Sequence, residues 1–178
     1  KVTIYQERFY FQILRNASAL TRLCRCGFGP RIFKHESFLV YYMNYLSQQN
    51  GNILTGKRVM VRVDFNVPIE NGVVSESEAF RIHAVIPTIN LLKNAGAKII
   101  LISHIGRGGD SLSPVADYIA KMLPELGVKF IPEIIGESVN TAISNLENGS
   151  VLLLENIRQN PGEEKNDSEF ARILASYA

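Results

Sequence analysis

The chain has 178 residues, with 19 Lys and Arg against 17 Asp and Glu and 46% apolar residues, which is typical of a globular protein and excludes a disordered or fibrous one. A chain of this length can bury about 70% of the surface of its unfolded form, so a core can form without disulfides. No apolar run reaches the roughly 18 residues that a membrane-spanning helix needs, and we therefore expect no transmembrane segment.

Charge is unevenly distributed along the chain. Residues 1–42 hold seven basic and two acidic residues and nine of the 16 Phe and Tyr residues, whereas residues 43–178 are net acidic. The basic pI therefore comes from this leader and does not argue for nucleic-acid binding. We expect residues 1–42 to lie outside the domain, as sequence upstream of a start at Met43. The alternatives are an interaction segment that is specific to this chain or a targeting segment.

The two cysteines, Cys24 and Cys26, lie in this leader. A tetrahedral zinc site needs a second pair of ligands, and neither a cysteine pair nor a histidine pair follows them. We therefore expect no structural zinc.

From Gly56 onward, short β-branched runs alternate with helical patterns, which indicates βαβ units and a parallel sheet covered on both faces. Strands are predicted at 59–65, 98–103, 128–131 and 150–155. Helices are predicted over 81–94 with a start or kink near Pro87, from Ser113 and Pro114 to a stop by Gly127, over 137–146, and from a cap at Asp167. Asn71 and Gly72 predict a turn. The last helix leads into no further strand, so the sheet is expected to be incomplete at its carboxy-terminal end.

Polar residues cluster where the predicted strands end. In open α/β sheets, ligands bind beyond the carboxyl ends of the strands. The residues there are Arg62, Asp64, Asn66, Ser103, His104, Arg107, Glu155, Asn156 and Arg158, with Arg81 opening the first long helix. Arginine keeps its charge and donates two parallel hydrogen bonds, so this set predicts a site for a small polyanion.

Each of these residues also has a purely structural interpretation. Arg62 could form an ion pair across the sheet, and Asp64 and Asn66 could shape the turn before Pro68. A single histidine such as His104 is often structural. The sequence also lacks a P-loop, a G-x-G-x-x-G fingerprint, a nucleophile elbow and an H-E-x-x-H motif, and residues 106–109 are only a weak phosphate-loop signal. We therefore expect an anion site without a nucleotide cradle.

Five segments, in order, resemble phosphoglycerate kinase. They are GKRVMVRVDFNVP at 56–68, RIHAVIPTI at 81–89, LISHIGR at 101–107, LLLENIR at 152–158 and GEEKND at 162–167. The resemblance covers residues 43–178, and the sequence from Met43 is similar to a bacterial-type amino terminus of that family. It implies a Rossmann-like three-layer parallel sheet. It also implies that residues 43–178 are a partial domain for 3-phosphoglycerate or 1,3-bisphosphoglycerate, without the family's nucleotide-binding domain for Mg-ATP or Mg-ADP.

The resemblance also implies roles for individual residues. Asp64 and Asn66 would hold the hydroxyl and carboxyl end of the substrate, and Arg81 would be the catalytic arginine. A basic patch on the phosphate that is not transferred would comprise Arg62, His104, Arg107 and Arg158. The same motifs contribute Phe65, Ile105 and Gly106 as further substrate-binding residues. No metal site is implied on this chain.

As a whole, the resemblance implies a cytoplasmic, monomeric glycolytic enzyme that transfers a phosphoryl group between 1,3-bisphosphoglycerate and ADP, with no nucleic-acid or membrane partner. This chain alone is expected to be inactive, because turnover requires two domains to close on each other. Three features depart from the family: Gly108 replaces a proline, Gln159 replaces a phenylalanine, and the chain ends before the DVYVNDAFGTAHRAH stretch. The alternative is a non-catalytic anion-binding module that is complete at this length.

Overall fold

The computed structural model describes residues 2–7, 10–14, 54–107 and 109–178. The strands are β1 (Val2–Glu7), β2 (Tyr10–Leu14), β3 (Arg58–Arg62), β4 (Ile69–Glu70), β5 (Val73–Val74), β6 (Lys98–Ile102), β7 (Val128–Ile131) and β8 (Val151–Leu154). The helices are α1 (Phe80–His83), α2 (Ile86–Asn94), α3 (Ser113–Met122), α4 (Glu137–Ser144), α5 (Pro161–Glu164) and α6 (Ser168–Ser176). Short 3-10 turns lie at Glu76–Glu78, Pro124–Leu126 and Ile157–Gln159.

The larger sheet has the strand order β2-β1-β3-β6-β8-β7. Its neighbouring strands are parallel, apart from the antiparallel pair of β1 and β2. Helices connect β3 to β6, β6 to β7 and β7 to β8. The predicted α/β fold with a parallel sheet is therefore confirmed.

The core lies on both faces of this sheet. Successive strand residues point to opposite faces, so Val59 and Val61 pack in one buried cluster with side chains of α2 and α3, while Met60 packs in a second cluster with side chains of α4 and α6. All four residues of β8 are buried, as a central parallel strand requires. The result is the three-layer arrangement that the sequence predicts.

The first predicted strand is longer than the observed one. β3 ends at Arg62, although Val63 still donates a backbone hydrogen bond of 2.9 Å to Ile102. Buried Val63 and Phe65 continue the apolar alternation of β3, which is why the pattern extended the prediction to residue 65. The chain leaves the sheet at this point, and the loop that follows carries candidate site residues.

The helix break and the turn follow the sequence signals. α1 and α2 are separate, and Pro87 is the second residue of α2, which confirms the predicted start near it. Asn71 and Gly72 have φ angles of 52° and 78°, the left-handed values that a two-residue hairpin turn requires, and they join β4 to β5.

Helix starts agree with the sequence to within a residue or two, whereas α3 ends at Met122, before the predicted stop at Gly127. Asp167 caps α6 by accepting a 2.8 Å hydrogen bond from the backbone N–H of Phe170. α3 begins at Ser113, with Leu112 rather than Ser113 in the cap position, and the 3-10 turn after it ends at Gly127, whose φ is 62°.

Two strands come from the leader, and β1 pairs in parallel with β3. The predicted boundary at residues 42–43, the start at Met43 and the argument about Cys24 and Cys26 lie outside the described residues, so these remain predictions. Gly108 is also outside them. Among the described helices, none has the length and apolar character needed to cross a membrane.

Candidate functional site

The candidate site lies at the carboxyl edge of β3, β6 and β8, in the loops that follow these strands. Ser103, which is fully buried, joins two of these loops. Its hydroxyl donates to the carbonyl of Val63 at 2.8 Å and accepts from the backbone N–H of Phe65 at 3.0 Å. The position of the loop after β3 is therefore fixed relative to β6.

Asn156 fixes the third loop in the same way. Its side-chain oxygen accepts backbone hydrogen bonds from Ile105 at 3.2 Å and Arg158 at 3.1 Å, and its amide nitrogen donates to the carbonyls of Ile105 at 2.8 Å and Asp110 at 2.7 Å. Asn156 is fully buried, so loss of these bonds would leave polar groups without partners.

Glu155 is a buried carboxylate with a structural role. It accepts hydrogen bonds from the hydroxyl of Ser111 at 2.7 Å and from the backbone N–H groups of Leu112 at 2.8 Å and Asn156 at 2.6 Å. These contacts join the end of β8 to the beginning of α3. Buried carboxylates need such partners, and both oxygens of Glu155 accept hydrogen bonds from within the fold.

Two predicted arginines meet on one carboxylate. Arg62 donates from Nη2 to Oε1 of Glu163 at 2.7 Å, and Arg158 donates from Nε to Oε2 of Glu163 at 3.3 Å. The side chain of Glu163 is 10% exposed, whereas those of Arg62 and Arg158 are 24% and 25% exposed. We call these three residues the basic cluster. Arg158 also donates from Nη1 to the carbonyl of Gly106 at 3.3 Å.

The carboxylate of the basic cluster is held in its charged form. Burial alone would raise the pKa of Glu163, but the hydrogen bonds from Arg62 and Arg158 and their positive charges outweigh it and lower the pKa below its ordinary value. The basic cluster therefore carries two positive charges and one negative charge at neutral pH.

A second ion pair lies outside the basic cluster. Arg81 donates from Nη1 to Oδ2 of Asp64 at 2.6 Å, and both side chains are 38% exposed. We call this the outer pair. The guanidinium of Arg81 also lies 5.6 Å from the ring centre of Phe80, and its Nε is buried without a hydrogen-bond partner among the described residues.

His104 is half-buried beside the basic cluster. Burial lowers its pKa, and the charges of Arg158 and Arg62 lower it further, while Asp64 and Glu163 oppose the shift. The imidazole is therefore neutral at neutral pH. Its one N–H group can donate a hydrogen bond to an anion, but the neutral ring adds no positive charge to the site.

Two further predicted residues shape the loop after β6. The backbone N–H of Gly106 donates to the side-chain oxygen of Asn66 at 3.0 Å. Gly106 has φ of 58°, and a Cβ there would overlap the carboxylate of Asp110, so glycine is required. Arg107 is exposed and forms no hydrogen bond or ion pair within the described part of the chain.

Phe65 and Ile105 differ from the other predicted residues. Their side chains are buried in the core, and their backbone N–H groups already donate to the side chains of Ser103 and Asn156. Both residues therefore hold the loops in place rather than offer groups to a ligand.

The structure connects Arg62 to Arg158 through Glu163, Arg158 to Gly106, and Gly106 to Asn66. The backbone N–H of Asn66 also donates to Asp64, which accepts from Arg81 as well.

Sequence reasoning gave no role to Glu163. Its segment, GEEKND, carries part of the family resemblance only, and the one sequence signal for Glu163 is its position five residues after Arg158. Arg62 does form an ion pair, as its structural interpretation expects. Its partner, however, lies on α5 and not across the sheet. In the described ranges, no group of three or more His, Cys, Asp or Glu could hold a metal ion.

Comparisons with known proteins agree on one family. The family model described as phosphoglycerate kinase matches residues 50–178. Proteins named phosphoglycerate kinase from Picosynechococcus sp. and Fervidobacterium nodosum are 52% and 48% identical over 132 and 131 residues, and each alignment covers 70% of this chain and 32% of the relative.

Solved structures give the same result. The crystal structure of phosphoglycerate kinase from Pyrococcus horikoshii OT3 matches with a TM-score of 0.59 at 30% identity, covering 70% of this chain and 33% of that one. The structure of phosphoglycerate kinase from Coxiella burnetii matches with a TM-score of 0.57 at 35% identity, covering 69% and 31%. The chain thus spans about a third of the length of the relatives that it matches.

Proposed function

The chain belongs to the phosphoglycerate kinase family, and from that premise we propose that it binds the phosphoglycerate substrate in phosphoryl transfer between 1,3-bisphosphoglycerate and ADP. The observation that carries the proposal is the basic cluster at the carboxyl edge of the sheet, with exposed Arg107 in the same set of loops. This edge is where open α/β sheets bind ligands.

The phosphate that is not transferred binds at the basic cluster. A guanidinium has five N–H donors, and the contacts to Glu163 and Gly106 use only some of those on Arg62 and Arg158. The remaining donors and the unpaired charge of Arg107 suit a phosphate dianion. Neutral His104 adds a hydrogen bond without changing the charge balance.

The three-carbon acid extends from this phosphate toward Asp64 and Asn66. The side-chain oxygen of Asn66 is occupied by the N–H of Gly106, which leaves its NH₂ group to donate to a carboxylate. Asp64 accepts from Arg81 and from the backbone N–H of Asn66, and a carboxylate has further acceptor positions for a hydroxyl group.

Arg81 acts on the phosphoryl group that is transferred. Charge spreads over the equatorial oxygens of that group in the transition state, and a guanidinium placed there stabilises the transition state more than the ground state. The exposed outer pair leaves Arg81 accessible to a ligand.

A kinase also needs a nucleotide. The family resemblance assigns Mg-ATP or Mg-ADP to a second domain, and the chain spans about a third of the length of its relatives. We place the nucleotide site on parts of the protein other than this chain, and we expect this chain alone to be inactive, cytoplasmic and monomeric.

Calorimetric titration with three ligands tests the proposal. 3-Phosphoglycerate should bind more tightly than glycerol 3-phosphate, which lacks the carboxylate, and both should bind more tightly than glycerate, which lacks the phosphate. Because the contacts are ionic, added salt should weaken the binding of all three. Equal affinity for glycerate and 3-phosphoglycerate, or no binding of either, would contradict the proposal.

A further inference from the structure

We propose that Glu163 is a positioning residue of the anion site, whose largely buried carboxylate holds the guanidinium groups of Arg62 and Arg158 side by side and thereby sets the affinity for a phosphate group. The inference rests on the proposed function, because it concerns the same site. It assigns to Glu163 a role that the sequence did not reveal.

Glu163 joins arginines that come from two strands that are not adjacent in the sheet. Arg62 ends β3 and Arg158 follows β8, and these strands are not neighbours, because β6 lies between them. Each carboxylate oxygen of Glu163 accepts from one arginine, so a single carboxylate joins side chains that come from either side of β6. Without Glu163, the described contacts include none that connects the two guanidinium groups.

Glu163 is also less accessible than the arginines that it joins. Its side chain is 10% exposed, against 24% and 25% for Arg62 and Arg158, so a ligand from solvent reaches the guanidinium groups more readily than the carboxylate. A competing internal anion would have to leave when the ligand binds. A largely buried carboxylate can stay in place and keep the arginines aligned while their remaining donors bind phosphate.

The negative charge of Glu163 lies between the positive charges of Arg62 and Arg158. Two guanidinium groups of like charge repel each other, and a carboxylate between them offsets this repulsion. Both arginines favour the ionised form of Glu163, so the bridge is charged at neutral pH. The basic cluster then keeps a net charge of one, which still favours an anion.

The backbone that carries Glu163 is itself fixed. Asn160 caps α5 by accepting a 2.8 Å hydrogen bond from the N–H of Gly162, and the carbonyl of Gly162 accepts one of 2.8 Å from Asp167. A Cβ at Gly162 would come within 2.9 Å of the Cβ of Phe170, so α5 packs closely on α6. The carboxylate is therefore placed before any ligand arrives, which is what a positioning role requires.

The neighbouring residue offers a matched control. Glu164 carries the same charge, lies 3.7 Å from Nε of Arg158, and is 66% exposed. An exposed ion pair of this length contributes little. Glu163→Gln and Glu164→Gln therefore remove the same charge from the same helix, one at a largely buried position and one at an exposed position.

The experiment measures 3-phosphoglycerate affinity in the 178-residue chain and its variants. Glu163→Gln should weaken binding by about tenfold or more, because the arginines lose their alignment. Glu164→Gln should change it by less than about twofold. Unchanged or tighter binding by Glu163→Gln would overturn the inference, since tighter binding would identify Glu163 as a competitor of the ligand.

A readout without ligand separates this inference from the proposed function. The charge of Glu163 raises the pKa of His104, so Glu163→Gln should lower that pKa in an NMR titration of the imidazole, while Glu164→Gln should leave it unchanged. If the wild-type chain binds no 3-phosphoglycerate, the proposed function fails. Separately, an unaltered His104 pKa in Glu163→Gln would contradict the charged carboxylate that the inference places beside the two arginines. Should Glu163→Gln fail to fold, Glu163→Asp keeps the charge but shortens the bridge, and wild-type affinity in that variant would equally overturn the inference.

Discussion

The basic cluster and the outer pair use the same kinds of residue in different surroundings. In the basic cluster, one nearly buried carboxylate bonds two arginines whose side chains are themselves about three-quarters buried. In the outer pair, one carboxylate bonds one arginine, and both side chains are 38% exposed. The more buried arrangement costs more to break, whereas a more exposed pair contributes about 1 kcal/mol or less and can exchange its partner for a ligand.

The difference indicates two tasks at one edge of the sheet. The basic cluster is suited to holding a group that does not change during a reaction, because its arginines are fixed before binding. The outer pair is suited to a group whose charge distribution changes, because Arg81 can leave Asp64 for a better acceptor. Each task predicts a different response to substitution.

The largest effect is expected for catalysis by Arg81. The test uses a chimera in which residues 50–178 are joined to the remaining two-thirds of the Picosynechococcus relative. In this chimera, Arg81→Ala should lower kcat about 100-fold, which is the effect of losing one hydrogen-bond donor to the transition state. Because the outer pair is exposed, substrate affinity and thermal stability should change little. Steady-state kinetics measures kcat and KM, and thermal unfolding measures the stability. An unaltered kcat would remove Arg81 from the catalytic role.

A smaller effect is expected for binding by Arg158. Arg158→Ala should weaken 3-phosphoglycerate binding by about tenfold or more and also lower the melting temperature, because Glu163 loses one of its two partners while remaining buried. Calorimetry and thermal unfolding measure these changes. Arg172, which forms an exposed pair with Glu169 on α6, supplies the control.

Arg172→Ala should leave both quantities close to those of the wild-type chain, because its side chain is largely exposed. If Arg158→Ala behaved like Arg172→Ala, the distinction between a fixed cluster and an exchangeable pair would be lost.

The smallest effect concerns the protonation of His104. Its pKa is lowered in the folded chain from an ordinary value of 6.5, so the folded state favours the neutral ring. The unfolded chain then binds more protons below pH 6.5, and the free energy of unfolding should fall as the pH drops below 6.5 toward the folded pKa. His104→Gln should reduce this slope in denaturant titrations at pH 7 and pH 5.5.

Ligand binding should act on the same group in the opposite direction. A phosphate at the basic cluster places negative charge near His104 and should raise its pKa, which an NMR titration with and without 3-phosphoglycerate measures. A pKa that stays the same on saturation would place the phosphate away from the basic cluster.

Local signals in the sequence predicted most of the fold. Proline at position 87 marked the start of α2, Asn71 and Gly72 marked the hairpin, and Asp167 marked the beginning of α6. These residues act on their own neighbours, so their effects are visible without a tertiary structure. The end of β3 was missed because Val63 and Phe65 are buried after the strand as well as within it.

The candidate site was predicted in outline only. The rule that ligands bind beyond the carboxyl ends of strands located Arg62, His104 and Arg158, but it cannot show which side chains contact each other. The bridge at Glu163 depends on how α5 folds back over β3 and β8, and the neutral state of His104 depends on burial. Both are tertiary properties that no spacing in the sequence encodes.

The central claim is that the carboxyl edge of the sheet binds a phosphorylated three-carbon acid through the basic cluster. Backbone amide NMR spectra recorded during titration with 3-phosphoglycerate test it most directly. The account predicts saturable shifts centred on Arg62, Gly106, Arg107 and Arg158, with none at the opposite edge near Gly56 and Lys98. Shifts confined to that opposite edge, or no saturable shifts, would contradict it.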